Sequence, residues 1–265
     1  DGGGADDGEQ LQRSLGRVEV PIRGRRLPVV NGALKQLVIL FRYSDHVDRD
    51  LPSVEELRQL FNSKEKNEIV PYGSVKEVYR VSSLDQLDIE TTITPWVTLS
   101  KPEAYYGAGD SAKYTNEIFE GVTEALQKAE DEGHIESFSD YDMDNNGELD
   151  MFSMMHSGYD ATDSKEDCYG THQKDRIWSQ SKAFNPGWTS KDGIRVNQYA
   201  LSSVVTGLCG KDVNHIGTVA HEMGHYLGIP DLYDRNGGGK GIGAIGIMGS
   251  GHGFDTSGNK PSIMT

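Results

Sequence analysis

Residues 221 to 231 read HEMGHYLGIPD, and several of them carry groups that could do chemistry together. His221 and His225 stand four apart. On a helix that spacing sets both imidazoles on one face, one turn apart, within reach of a single metal ion. Glu222 follows the first of them and points toward the same ion without needing to bind it. That is where a general base for a metal-bound water is wanted. Gly228 can take a positive φ and end the helix in a sharp turn, and Pro230 keeps the helix from resuming. The reversal brings Asp231 back as a third ligand, with Asp234 competing for that place. Zinc on His221, His225 and Asp231 would leave a position open for water and lower its pKa to about 7. Glu222 would then take the proton as the water attacks a peptide carbonyl, and hand it to the leaving amine. The expected activity is zinc-dependent endopeptidase action on a protein or peptide substrate.

A second cluster lies at residues 142–150, DMDNNGELD. Oxygen donors fall at alternate positions, with glycine where the chain must turn sharply, as at the opening of a calcium loop. The expected ligands are the side chains of Asp142, Asp144 and Asn146, the backbone carbonyl of Glu148, and Asp150 directly or through water. The twelfth position is Ser153, so the bidentate glutamate of an EF-hand is missing, and the segment before the loop is a poor helix. The reading is a structural calcium loop outside an EF-hand pair.

The elements that must position these groups follow from periodicity and capping. Gln36 to Arg42 is an apolar run of strand length. Ser53 and Glu56 form a capping box opening a short helix to about Phe61, and Ser74 to Arg80 suggests another. Asp88 to Leu99 is rich in β-branched residues and reads as two strands broken at Pro95. Ser111 to Glu130 has helical spacing of Tyr114, Ile118, Val122, Leu126 and Ala129. Met151 to His156 and Arg176 to Ser179 are strand-like. Asp212 to Leu227 is a helix closed by Gly228, and the chain beyond it reads as loop. Gly241 to Gly246 fits a dinucleotide glycine pattern, but no strand and helix flank it. His156 reads as a hydrogen-bonded core histidine.

The motif with Gly228 and Asp231, followed by Leu232-Tyr233-Asp234, resembles the immune inhibitor A-like secreted zinc metallopeptidases of the metzincin clan. So do, in order, Gly73-Ser74-Val75 with Val78-Tyr79, Tyr105-Tyr106-Gly107, the acidic 142–150 stretch, Ile177-Trp178-Ser179, and Ile247-Met248-Gly249-Ser250-Gly251. The resemblance covers roughly residues 36 to 265. It implies an α+β, metzincin-type catalytic domain: a twisted mixed sheet, with Ser111 to Glu130 as the backing helix and Asp212 to Leu227 as the active-site helix. It also implies that Met248 forms an apolar floor beneath the metal. Some relatives supply an oxyanion donor from a tyrosine soon after that methionine turn. Here the turn is followed by His252, which reads as an exposed loop residue.

Residues 1–35 read as a flexible, processed N-terminal segment and 36–265 as the catalytic domain. Such domains usually run further past the methionine than the 17 residues after Met248, so truncation of the cleft is expected. Across all 265 residues the formal net charge is −15, which excludes nucleic acid as the main partner. Thirteen acids and one base lie between Glu130 and Asp167, so most of that charge sits in and beside the acidic loop. Mean hydropathy is −0.56, and no run is long enough to span a membrane. The two cysteines, Cys168 and Cys209, are expected to form a disulfide in a secreted protein, with free thiols or a thiol on zinc left open. The rival function is an extracellular structural or adhesive protein built on a latent peptidase-like domain with bound calcium.

Overall fold

The computed structural model describes residues 32–233, 239 and 241–249. Asp234, Ser250, Gly251 and His252, together with residues 1–31, lie outside them. The fold is α+β, built on a twisted five-stranded mixed sheet. Its strands are β1 (Gly32–Arg42), β2 (Leu87–Thr98), β3 (Phe152–Tyr159), β4 (Gln180–Thr189) and β5 (Arg195–Val205), in the order β2-β1-β3-β5-β4. All neighbours are parallel except β4, which runs antiparallel to β5 at one edge. The central strands are covered on both faces: β3 is buried along its whole length, and β1 from Gln36 to Phe41. That explains the unbroken apolar run in β1. The one polar side chain in this run is satisfied across strands. Gln36 donates to the Ser153 hydroxyl at 2.8 Å and accepts from the Thr91 hydroxyl at 2.9 Å.

Helices α1 (Val54–Asn62) and α2 (Val75–Ser82) pack on β2. The Ser53–Glu56 capping box opens α1, and the Ser74 hydroxyl accepts from the Glu77 amide to open α2. After the short α3 (Glu103–Gly107), α4 (Glu117–Asp131) crosses β1, β2 and β4 on Ile118, Val122, Ala125, Leu126 and Ala129. Gly121 lets α4 close on Tyr106, because a Cβ there would lie 2.9 Å from the ring. Finally, α5 (Ile216–Tyr226) packs under β5 and β4 and against α2. The buried side chains form one contiguous core.

Five sequence expectations are corrected. Asp88 to Leu99 forms one strand, not two. Pro95 falls at a register shift on the edge strand, where its missing N–H costs nothing, and the Thr94 hydroxyl accepts from the Leu40 amide at 3.2 Å. The helix expected from Ser111 starts instead at Glu117. Ser111 and Ala112 take left-handed φ values of 55° and 58°, and Tyr114 is 91% exposed, off the apolar face. The helix expected from Asp212 begins at Ile216. Val213 first bridges to Val205, and the Asn214 side chain donates to the Ser203 carbonyl at 2.8 Å. Of the strand-like Arg176 to Ser179 segment, Ile177 makes an isolated bridge to Asp160, and the strand proper starts at Gln180. Last, the stretch closing the chain is not all loop, since residues 243–245 make one 3-10 turn. Two strands escaped the sequence reading altogether. β4 carries Asn185-Pro186-Gly187, a turn-like triplet that here sits in an irregular stretch of pairing, and β5 is interrupted by Asn197, Gln198 and two serines.

Candidate active site

The apolar residues Ile216, Val219, Ala220 and Met223 press α5 onto the sheet, so the rest of its last two turns is committed to another face. His221 and Glu222 lie on it, 6% and 8% exposed. The helix ends in a Schellman motif. Gly228 has φ 79°, its amide donates to the His225 carbonyl at 2.9 Å, and the Ile229 amide donates to the Gly224 carbonyl at 3.1 Å. Pro230 follows, and the chain returns Asp231 against the helix. Its Oδ1 stands 3.1 Å from Nε2 of His221 and 3.1 Å from Nε2 of His225. The two imidazoles are nearly perpendicular, with centroids 4.9 Å apart.

Backbone carbonyls fix the histidine tautomers. Nδ1 of His221 lies 2.8 Å from the Ile247 carbonyl and Nδ1 of His225 lies 2.9 Å from the Ile229 carbonyl. A carbonyl only accepts, so each Nδ1 carries a proton and each Nε2 turns its lone pair inward. Two lone pairs and a carboxylate oxygen thus converge, an arrangement that calls for a cation. Ligands about 2.0–2.1 Å from zinc in tetrahedral geometry stand roughly 3.3 Å apart, which these separations match. The donor set therefore fits zinc.

Burial pushes the Glu222 carboxyl up to about 8, with Asp231 and Asp160 adding to the rise. Asp160 directly follows β3 and accepts from the amide and hydroxyl of Ser179. Two further groups bear on the site that motif reading did not single out as functional. Tyr79 on α2 donates its hydroxyl to the Ala220 carbonyl at 2.6 Å, and burial, reinforced by Glu222, holds this phenol well above its ordinary value. The Tyr233 ring lies nearly parallel to His221 at 6.2 Å and is 38% exposed. Met248 is 2% exposed, and its carbonyl accepts from the Leu232 amide at 2.7 Å.

The acidic loop is a second cluster, tied to α5 by the Tyr226 hydroxyl, which donates to the Leu149 carbonyl at 3.0 Å. Carboxylate oxygens of Asp142, Asp144 and Asp150 lie within 4.8 Å of one another. Asn146 is woven among them: its amide meets Asp142 Oδ1 at 2.9 Å and its side chain donates to Asp144 Oδ2 at 2.9 Å. The Glu148 carboxylate turns away and accepts from Asn197 at 2.9 Å. Burial and the neighbouring acids raise the Asp150 carboxyl. Cys168 and Cys209 are joined in a disulfide, with Cα atoms 5.3 Å apart. His156 is fully buried, with its Nδ1 accepting from the Gly158 amide at 3.2 Å. Among the described residues, no helix is long and apolar enough to cross a membrane.

Residues 35–265 match a family described as immune inhibitor A peptidase M6, catalytic domain. The chain is also similar to Immune inhibitor A of Bacillus thuringiensis subsp. alesti, 26% identical over 271 residues, with 88% of this chain and 39% of that protein covered. It thus spans well under half the length of that relative.

Proposed function

The chain belongs to the immune inhibitor A M6 peptidase family, and on that premise we propose that it is a zinc-dependent endopeptidase whose base is Glu222. One observation carries the reading: Nε2 of His221, Nε2 of His225 and Oδ1 of Asp231 converge at 3.1 Å beside a buried glutamate. These three residues would hold the metal. When bound, zinc supplies Lewis acidity, lowering the pKa of a water and drawing charge from a carbonyl oxygen. The Glu222 carboxylate takes the proton from the attacking water as its oxygen bonds to the peptide carbon. The C–N bond then breaks, and Glu222 passes that proton to the departing nitrogen. Protein and peptide chains are the substrates, and residues 36–265 are the catalytic domain. Met248 serves as an apolar floor by packing. The Asp142, Asp144 and Asp150 carboxylates, with Asn146 and the Glu148 carbonyl, hold a structural calcium ion. The Cys168–Cys209 disulfide supports a secreted setting, because such bonds persist where the surroundings are oxidising.

The test is hydrolysis of casein or a quenched peptide by the intact chain, by its Glu222→Ala variant and by a chelator-treated sample. The intact chain should cleave, and the other two should lose a factor of about 10²–10⁴ or more. Equal rates in all three, as an adhesive protein on a latent domain would give, refute the proposal.

A further inference from the structure

Tyr79 sits at the junction of α2 and α5 and is 1% exposed. Its hydroxyl donates to the Ala220 carbonyl at 2.6 Å, and Ala220 directly precedes His221 and Glu222. Inside a helix that carbonyl already faces the amide four residues on, so the phenol uses its second lone pair. The remaining grip on this part of α5 comes from the buried apolar Ile216, Val219, Ala220 and Met223, and from two bonds made by side chains, His221 to the Ile247 carbonyl at 2.8 Å and Tyr226 to the Leu149 carbonyl at 3.0 Å. The Tyr79 hydroxyl grips the helix backbone itself. Apolar contact resists withdrawal of a helix but is non-directional, and it penalises a small rotation about the axis only weakly. A hydrogen bond of this length is directional and penalises rotation strongly.

The far end of the lever is fixed as well. Ser74 caps α2 through the Glu77 amide, and its hydroxyl donates to the Ser63 carbonyl at the end of α1 at 2.7 Å. A rotation of α5 by a fraction of a turn would carry the His221 and His225 imidazoles and the Glu222 carboxylate together away from the point where Asp231 aims. We propose that Tyr79 is a positioning residue whose hydroxyl sets the rotation of α5, and with it the joint aim of His221, His225 and Glu222. The inference rests on the reading of Glu222 as the peptidase base.

The test is Tyr79→Phe in the full chain, which keeps the ring and removes one oxygen. Tyr105→Phe is the control, since it loses a hydroxyl bound to Glu120 at 2.7 Å on an exposed surface. The readouts are kcat and KM on a quenched peptide, zinc affinity by competition with a chromogenic chelator, and the visible spectrum of the cobalt-substituted protein. For Tyr79→Phe, kcat should fall about tenfold with KM within twofold, since misaiming a catalytic group costs turnover more than binding. Zinc should be held several-fold more weakly and the cobalt bands should shift, while Tyr105→Phe matches the parent in every arm. Wild-type kcat and an unshifted cobalt spectrum in Tyr79→Phe overturn the proposal. So does a loss of activity that only tracks a loss of folded protein in urea melts. If the parent itself fails to cleave, the peptidase reading falls, and the zinc and cobalt arms still decide whether Tyr79 positions the helix.

Discussion

Acid should weaken this fold through His156. The ring is fully buried in β3, with its centroid 6.2 Å from Phe41 and 5.9 Å from Tyr43. Burial, joined by the nearby His46, lowers its pKa from 6.5 to about 3. A histidine depressed in the fold is protonated more readily in the unfolded chain. Its contribution is therefore intact above about pH 6.5 and drains away as pH falls toward 3. Between pH 7 and pH 5 the linkage amounts to about 2 kcal/mol, from roughly 1.4 kcal/mol per pKa unit over the part of the shift crossed. His46 faces the same interior, with Nε2 3.3 Å from Glu103, and is depressed to about 4 chiefly by burial, so it acts in the same direction. The contribution of His156 alone comes from His156→Asn, whose amide oxygen can still accept from the Gly158 amide. Urea midpoints of both proteins at pH 7 and pH 5, with zinc and calcium present, give the double difference, in which protonation of groups that do not couple to His156 cancels. The variant should start less stable at pH 7 but lose about 2 kcal/mol less on acidification. If parent and variant lose the same amount, the imidazole is not held neutral by burial and the reasoning fails.

Two further perturbations probe the loops. Calcium at about a hundredfold over its dissociation constant should raise the melting temperature by roughly 5–10 °C, and Asp144→Ala should abolish the rise; a melt indifferent to calcium removes the loop as a cation site. Replacing Cys168 and Cys209 by Ala frees a loop with a sequence separation of 41, for which chain entropy predicts a loss of roughly 4 kcal/mol in urea melts, and an unchanged midpoint would show that the bridge constrains nothing.

The features legible in the sequence are those whose signal is local. A capping box is four residues long, so Ser53 and Glu56 placed α1 within one residue. The run from Leu37 to Phe41 has the length and continuity of a buried strand, and His221 to Asp231 is one helical turn and one reversal. The misplaced features depend on distant partners. Tyr114 has helical spacing to Ile118, but Ser111 is claimed by the Lys174 and Gln173 carbonyls, which hold it in a left-handed conformation and start the helix later. Nothing near Arg195 announces β5. Its polar positions are tolerable because Asn197 meets Glu148 and the Ser203 hydroxyl reaches the Gly158 carbonyl. Tyr79 stood in a short stretch of family likeness, but its partner lies 141 residues away, a pairing that no single-sequence pattern can reveal.

The methionine turn shows how a sequence signature and its structural agent can differ. What draws attention in the sequence is the apolar side chain of Met248. The turn also reaches the His221–Asp231 segment through its backbone: the Ile247 carbonyl lies 2.8 Å from His221 Nδ1, and the Met248 carbonyl accepts from the Leu232 amide, one residue past Asp231. Adjacent carbonyls of one turn therefore key a ring on α5 to the segment that returns Asp231. Both carbonyls can be aimed only if the turn itself cannot slide. The side chains of Ile247 and Met248, 0% and 2% exposed, supply that anchorage by filling the core below. A large, unbranched, adaptable apolar side chain suits such a place, because it can fill an irregular floor without dictating the path of the backbone above it. On this view the methionine acts on the site through the carbonyls its burial holds in place, and His221 owes its tautomer and ring orientation to the residue before it.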